Sequence, residues 1–186
     1  MKSIGNDSVG ILPTDTLYSL AGPALSKKAV KKIYYLKRRD FTKPLIVMIA
    51  STSDLDKFHI KLNRAQRRTL SHLWPGKISV ILPCQSKKFS YLTRNTGSLA
   101  FRIPKKKSLT KILKLSGPLV VPSANPEGKK PAETIAEAKK YFGNKLNFYI
   151  DAGRLCSKPS TLVSLQPDGS VTVLRKGASK LPRKIN

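Results

Sequence analysis

Apolar residues come in short runs along this chain, with two spacings. The stretches VGILP from Val9, KPLIVMIAS from Lys43, ISVILPC from Ile78, PLVVP from Pro118 and NFYIDAG from Asn147 are closed by proline, glycine or polar residues. Their length and composition predict strands. SLAFRIP from Ser98 alternates instead, with Leu99, Phe101 and Ile103 on one face and Arg102 on the other. STLVSL from Ser160 and VTVLRKG from Val171 flank Pro167-Asp168-Gly169, which predicts a hairpin. SKKAVKKIYYLKRR from Ser26 sets Val30, Ile33, Tyr34 and Leu36 at helical spacing behind a serine cap, with a basic outer face. SLTKILKL from Ser108 and AETIAEAKKYFG from Ala132 read as further helices, and residues 53–73 as helical in pieces. Residues 85–97 are polar and read as a loop. The order of elements predicts an α/β fold: one domain over 1–186, a twisted mixed sheet with flanking helices. Its core runs from about 9 to 177, with a basic tail at 178–186.

Composition adds one unusual feature. Thirty-six Lys+Arg stand against ten Asp+Glu, a formal charge of +26. A field of that sign attracts nucleotides, RNA and acidic surfaces. Because the lysines are spread along the whole chain, a lysine-rich solvated surface explains the total equally well. Two cysteines, Cys84 and Cys156, do not make a disulfide scaffold. No apolar run reaches the roughly 20 residues of a membrane span, and the first residues lack a secretory core. The expectation is a soluble, cytoplasmic protein with no membrane association.

In open α/β sheets, ligands sit beyond strand ends where polar loops converge. That rule singles out Thr14–Thr16, Arg102, Ser123–Asn125, Ser160–Thr161 and Arg175, each at the end of an apolar run. LKRRDFTKPL adds Lys37 and Arg39 at a helix end and Lys43 at the mouth of a strand. Three cations this close repel one another unless an anion lies between them; the alternative is a solvated helix end, where the dipole favours cations anyway. Arg102 either binds a carboxylate or faces water. Ser123 and Asn125 either contact a ligand or simply form a turn. Phosphate-binding glycine loops, a His-Glu-x-x-His helix and a Gly-x-Ser-x-Gly elbow are all absent from the sequence. With only His59 and His72, a histidine-rich metal site is not expected.

The stretches PTDTLYSLAG, LKRRDFTKPLIVMI, WPGKISVIL, LAFRIP, VVPSANPEGKKPAETIAEAKKYFG, IDAG, PSTLVSL and VLRKG, in that order, resemble the YrdC/TsaC family of threonylcarbamoyl-AMP synthases from about Val9 to Gly177. Lys37, Arg39, Ser123 and Asn125 supply the Lys-x-Arg and Ser-x-Asn signature. The resemblance implies a YrdC-like fold with a positively lined concave face. It implies a reaction that joins L-threonine, bicarbonate and ATP into threonylcarbamoyl-adenylate and pyrophosphate, with magnesium accompanying ATP. A partner transferase then moves the group to tRNA; weak binding of tRNA or double-stranded RNA is a further expectation. Thr14, Thr16, Arg102 and Ser160 are implied on the threonine side, with Arg102 on its carboxylate. Lys37, Arg39, Lys43, Ser123, Asn125 and Arg175 are implied around ATP. No covalent catalytic residue is expected; Lys37 and Arg39 act electrostatically. The chain departs from the family pattern at Ser19, where a glycine is usual and positive φ would make serine costly, and at Glu127, which adds a negative charge beside the implied ATP site. An RNA-binding module, or a paralogue without synthase chemistry, on the same fold are the competing readings. The intact signature residues argue against the paralogue.

Overall fold

The run from Val9 forms β1 (Gly10–Pro13), which reverses through Thr14–Leu17 into β2 (Tyr18–Pro23), with Leu12 opposite Ser19. These are coordinates of a computed structural model, which describes residues 4–182. β2 is a strand that hydrophobic pattern did not predict, because YSLAGP carries a serine, a glycine and a proline. All six of its residues are buried, so tertiary packing overrides composition there. The remaining strands are β3 (Ile46–Met48), β4 (Ile78–Pro83), β5 (Ser98–Arg102), β6 (Leu119–Val120), β7 (Phe148–Tyr149), β8 (Thr161–Leu165) and β9 (Val171–Arg175). Among the described residues they form one sheet in the order β7-β1-β2-β6-β3-β5-β4-β8-β9. β7 on β1, β5 on β3 and β8 on β4 are parallel; the other neighbours are antiparallel. The sheet is therefore mixed throughout, not only at the hairpin between β8 and β9.

The helices are α1 (Lys27–Lys37), α2 (Arg64–Leu73), α3 (Ser90–Thr93), α4 (Lys107–Ser116) and α5 (Ile135–Phe142), with a 3-10 segment over Thr52–Phe58. Ser26 Oγ accepts from Ala29 N at 3.0 Å and so caps α1, as its position predicts. Arg38 closes the same helix in the left-handed conformation, φ 50. Residues 85–97 are not simply a loop. They hold the short α3 and a 3-10 turn over Lys87–Phe89, ordered by the buried side chains of Phe89 and Leu92.

Period-two alternation gives the sheet two different faces. Ile11, Leu20, Val47, Val80, Phe101, Val120 and Val163 pack in one large core with Ile33 and Tyr34 of α1, Leu70 of α2 and Phe142 of α5. On the other face Leu12, Ala21, Met48, Leu119 and Val121 meet Leu109, Ile112 and Leu113 of α4. The same alternation brings Ser19, Ser79 and Arg102 to this second side. Burial of polar groups there is the first structural sign of a site.

Candidate active site

A cavity of about 140 Å³ opens on the second face, beside α4, with Met48 and Val121 in its wall. Thr16, Lys37, Arg39, Arg102, Ser123, Ser160 and Arg175 also line it, seven of the ten residues singled out from sequence. Ser19 lines it too, and the strain feared for it is absent: Ser19 sits in β2, bridges Ser123, and is not among the residues with positive φ. Thr14, Lys43 and Asn125 stand outside the lining.

Lys37 ends α1 and is 3% exposed. Its Nζ donates to Ser123 O at 2.7 Å and Asn125 O at 2.8 Å, and also meets Asn125 Oδ1 at 3.2 Å and Ser123 Oγ at 3.4 Å. An ammonium has only three protons for these four oxygens, so the chain itself uses them up. Ser123 Oγ donates to Asn125 Oδ1 at 2.6 Å, and Asn125 Nδ2 donates to Lys129 O at 2.6 Å. The serine and asparagine after β6 thus form a turn whose shape is fixed by a buried lysine. The four acceptors favour the charged form. Burial, and then the charge of Arg39, oppose it and bring the Lys37 pKa down to about 8.

Arg39 is anchored by the backbone: Nε donates to Lys43 O and Nη2 to Pro44 O, both at 3.2 Å. Arg175 Nη2 donates to Ser160 O at 2.9 Å, and Ser160 Oγ lies 2.9 Å from Ser79 Oγ. Burial first, and the charge of Arg39 second, lower the Arg175 pKa. Two guanidiniums therefore repel across the cavity. Among the described residues no carboxylate pairs with Arg175, whereas Arg39 has Glu127 Oε1 at 3.8 Å and Lys43 has the same oxygen at 3.0 Å. This glutamate is the anion that the three clustered cations require.

Arg102 points to the side its strand pattern predicts, but it does not face water: it is 2% exposed. Its Nε donates to Gly76 O at 2.9 Å, Nη1 to Thr16 Oγ1 at 3.3 Å and Nη2 to Asp15 Oδ1 at 2.5 Å. Burial lowers its pKa, and the charge and hydrogen bond of Asp15 oppose that shift. Asp15 is thus more than a turn former. Its other oxygen is buried without a hydrogen-bond partner. Thr14 builds the turn: its Oγ1 donates to Leu17 O at 2.7 Å and accepts from Thr16 N and Leu17 N. Sequence reasoning missed the partnership of Asp15 with Arg102 because 87 residues separate them; the only local signal was an acid next to two hydroxyls.

Among the described residues no group of three or more His, Cys, Asp or Glu side chains converges on a metal position. None of their helices is long and apolar enough to cross a membrane. The site is a set of fixed cations and hydroxyls at strand ends. It suits the binding and alignment of anionic reactants.

Known proteins have the same architecture. The Sua5/YciO/YrdC family model, described as Telomere recombination, matches residues 2–177. The threonylcarbamoyl-AMP synthase of Bacillus subtilis is 36% identical over 178 residues, covering 94% of this chain and 51% of that protein. The threonylcarbamoyl-AMP synthase of Yersinia enterocolitica is 30% identical over 149 residues, 78% of each chain. The crystal structure of P. abyssi Sua5 complexed with L-threonine superposes with a TM-score of 0.83 at 29% identity, covering 94% of this chain and 52% of that one. This chain spans about half the length of the B. subtilis and P. abyssi proteins. With a match from its second residue to the end of β9 and the same sheet beneath it, the chain belongs to the Sua5/YciO/YrdC family.

Proposed function

We propose that this protein is a threonylcarbamoyl-AMP synthase, acting in the cytoplasm. The observation that carries the reading is the convergence of Arg39, Arg102 and Arg175 on one cavity at the strand ends. The names of the B. subtilis and Y. enterocolitica relatives, and L-threonine bound to P. abyssi Sua5, support it.

The reaction needs such a site. The threonine amine takes up bicarbonate with loss of water to give a carbamate. A carbamate oxygen attacks the α-phosphorus of ATP, a new O–P bond forms, and the bond to the β-phosphate oxygen breaks to release pyrophosphate. Carbamate, carboxylate and triphosphate are all negative, so their approach is opposed until fixed cations offset the repulsion. Alignment of the bound reactants supplies about 7–11 kcal/mol of the remaining barrier.

Arg102, already oriented by Gly76 and Asp15, holds the threonine carboxylate beside the Thr16 and Ser160 hydroxyls. Thr14 fixes the turn that presents Thr16. Arg39 and Arg175 face the phosphates, with Lys43 at the rim. Lys37, Ser123 and Asn125 shape the nucleotide side. Magnesium travels with the ATP phosphates. A transferase partner consumes the adenylate and delivers the threonylcarbamoyl group to tRNA.

The test is product analysis by mass detection after mixing protein, L-threonine, bicarbonate, ATP and magnesium, with pyrophosphate followed in parallel. A threonine-dependent adenylate is expected. Arg102→Ala should weaken threonine use by ~10²-fold, the scale of a lost charged hydrogen-bond pair, with ATP binding little changed. A folded wild-type protein that releases no threonine-dependent pyrophosphate would overturn the reading.

A further inference from the structure

Glu127 occupies an unusual position. Its amide N donates to Lys37 O at 2.6 Å, so its backbone is pinned to the end of α1. Its Oε2 accepts from Asp40 N at 2.8 Å, while Oε1 lies 3.0 Å from Lys43 Nζ and 3.8 Å from Arg39 Nη1. The backbone donor at Asp40 and the Lys43 ammonium, in that order, lower the pKa of this carboxyl. The side chain is 31% exposed, against 3% for Lys37 beneath it. One carboxylate is thus held by one backbone N–H and two cations, of which Arg39 lines the cavity, and only its side chain needs to rotate to leave them.

We infer that Glu127 is a built-in stand-in for a ligand phosphate, which leaves Arg39 and Lys43 when a polyphosphate binds and so sets how tightly such ligands are held. The inference rests on the reading of Arg39 and Lys43 as phosphate-facing. A carboxylate brings a single charge to these cations. A terminal phosphate brings up to two, with three acceptor oxygens, and outcompetes it. Displacement opposes every ligand that uses Arg39 and Lys43, and leaves a ligand without phosphate unaffected. The empty site, meanwhile, is relieved of unbalanced repulsion among its cations.

The experiment compares wild type with Glu127→Gln by calorimetric titration of inorganic pyrophosphate, ATP and adenosine. Glutamine keeps an oxygen for Asp40 N and removes only the charge. Glu127→Gln should bind pyrophosphate and ATP about three- to tenfold tighter, the scale of one or two half-exposed ion pairs, and adenosine equally. The gain should shrink as salt is raised. Adding Lys43→Gln should weaken pyrophosphate binding more in the Glu127→Gln background than in wild type, where Glu127 already engages Lys43. Unchanged or weaker pyrophosphate binding in Glu127→Gln overturns the inference. If that happens while wild type still forms the adenylate, the synthase reading stands alone. If Glu127→Gln binds pyrophosphate more tightly but no adenylate forms, the inference stands without it. If neither protein binds pyrophosphate and wild type forms no adenylate, both ideas fall.

Discussion

Lys37 shows how one residue can tie fold and chemistry together with opposite pH signs. Its ammonium holds the Ser123–Asn125 turn, and burial lowers its pKa from 10.5 to about 8. Adenylate formation should fall as pH rises through about 8, because loss of the proton removes a donor from the turn that shapes the cavity. Stability should move the other way. The unfolded lysine keeps its proton to higher pH, so between about 8 and 10.5 the unfolded state binds more protons and the fold gains stability as pH rises. Below that window both states are charged and the burial penalty is borne in full; above it the penalty is gone. The gain is at most on the order of 3 kcal/mol. Melting curves of wild type and Lys37→Met across this range isolate the effect: the difference between the two proteins should change with pH in this direction. A flat difference would mean that Lys37 is not held at a lowered pKa. An alkaline activity limb without any such difference would assign the limb to another group.

At the scale of elements, the end of β9 is positioned by an approach of backbone to backbone. A Cβ built on Gly177 would lie 2.3 Å from Pro159 O and 2.5 Å from Ser160 C. Gly177 N also donates to Thr161 Oγ1 at 3.1 Å, and Arg175 Nη2 holds Ser160 O from the same strand end. Gly177→Ala must therefore push β9 away from the start of β8, moving Ser160 and Arg175 together. Overpacking of this kind costs about 1–3 kcal/mol, which lowers the melting temperature of a chain this size by roughly 2–12 °C. Differential scanning calorimetry reads the shift, and the adenylate assay should show a parallel loss; an unchanged melting point would mean that the strand ends are not in contact. The sequence made much of this layout legible. Proline, glycine and polar stops marked most strands, Ser26 and Gly143 marked helix ends, and period-two alternation placed Arg102 on its face. β2 was hidden because its burial comes from β1 and β6 on either side rather than from its own composition. The partners of the site cations were hidden for the same kind of reason: Asp15 meets Arg102, and Glu127 meets Arg39 and Lys43, across distances in sequence that only the sheet order closes. Lys37, Ser123 and Asn125 all stood out, but that the lysine holds the other two through hydrogen bonds across 86 residues was not legible.

For the whole molecule, the dominant fact is +26. Asp7, Asp15, Asp54, Glu127 and Glu133 make ion pairs among the described residues, where most of the cations have no such partner. Glu133 pairs with Lys130 at 2.7 Å and Arg154 at 2.8 Å, which hold its pKa down at about 2. A separate groove of about 810 Å³ between α2 and α4 is rimmed by Arg67, Lys105, Lys107, Lys111 and Lys114 without an acid. Self-repulsion of this kind opposes the compact state, and the same field draws polyanions to the entire surface. Salt separates the two consequences. Raising sodium chloride from about 20 to about 200 mM shortens the screening length from roughly 20 Å to below 8 Å. The melting temperature should rise, because repulsion between distant lysines is screened. Pyrophosphate binding should weaken only modestly, because Arg39 and Arg175 act at contact distance within a cavity. Binding of an RNA duplex, which would engage many surface lysines at once, should fall by orders of magnitude over the same range. Measured together, these three slopes tell a local anion site from a basic coat. Pyrophosphate binding that falls as steeply as RNA binding would place the anion on the general surface and remove the cavity from the account. A melting temperature that drops with added salt would mean that the native ion pairs, chiefly the buried one between Asp15 and Arg102, outweigh the repulsion of the unpaired lysines.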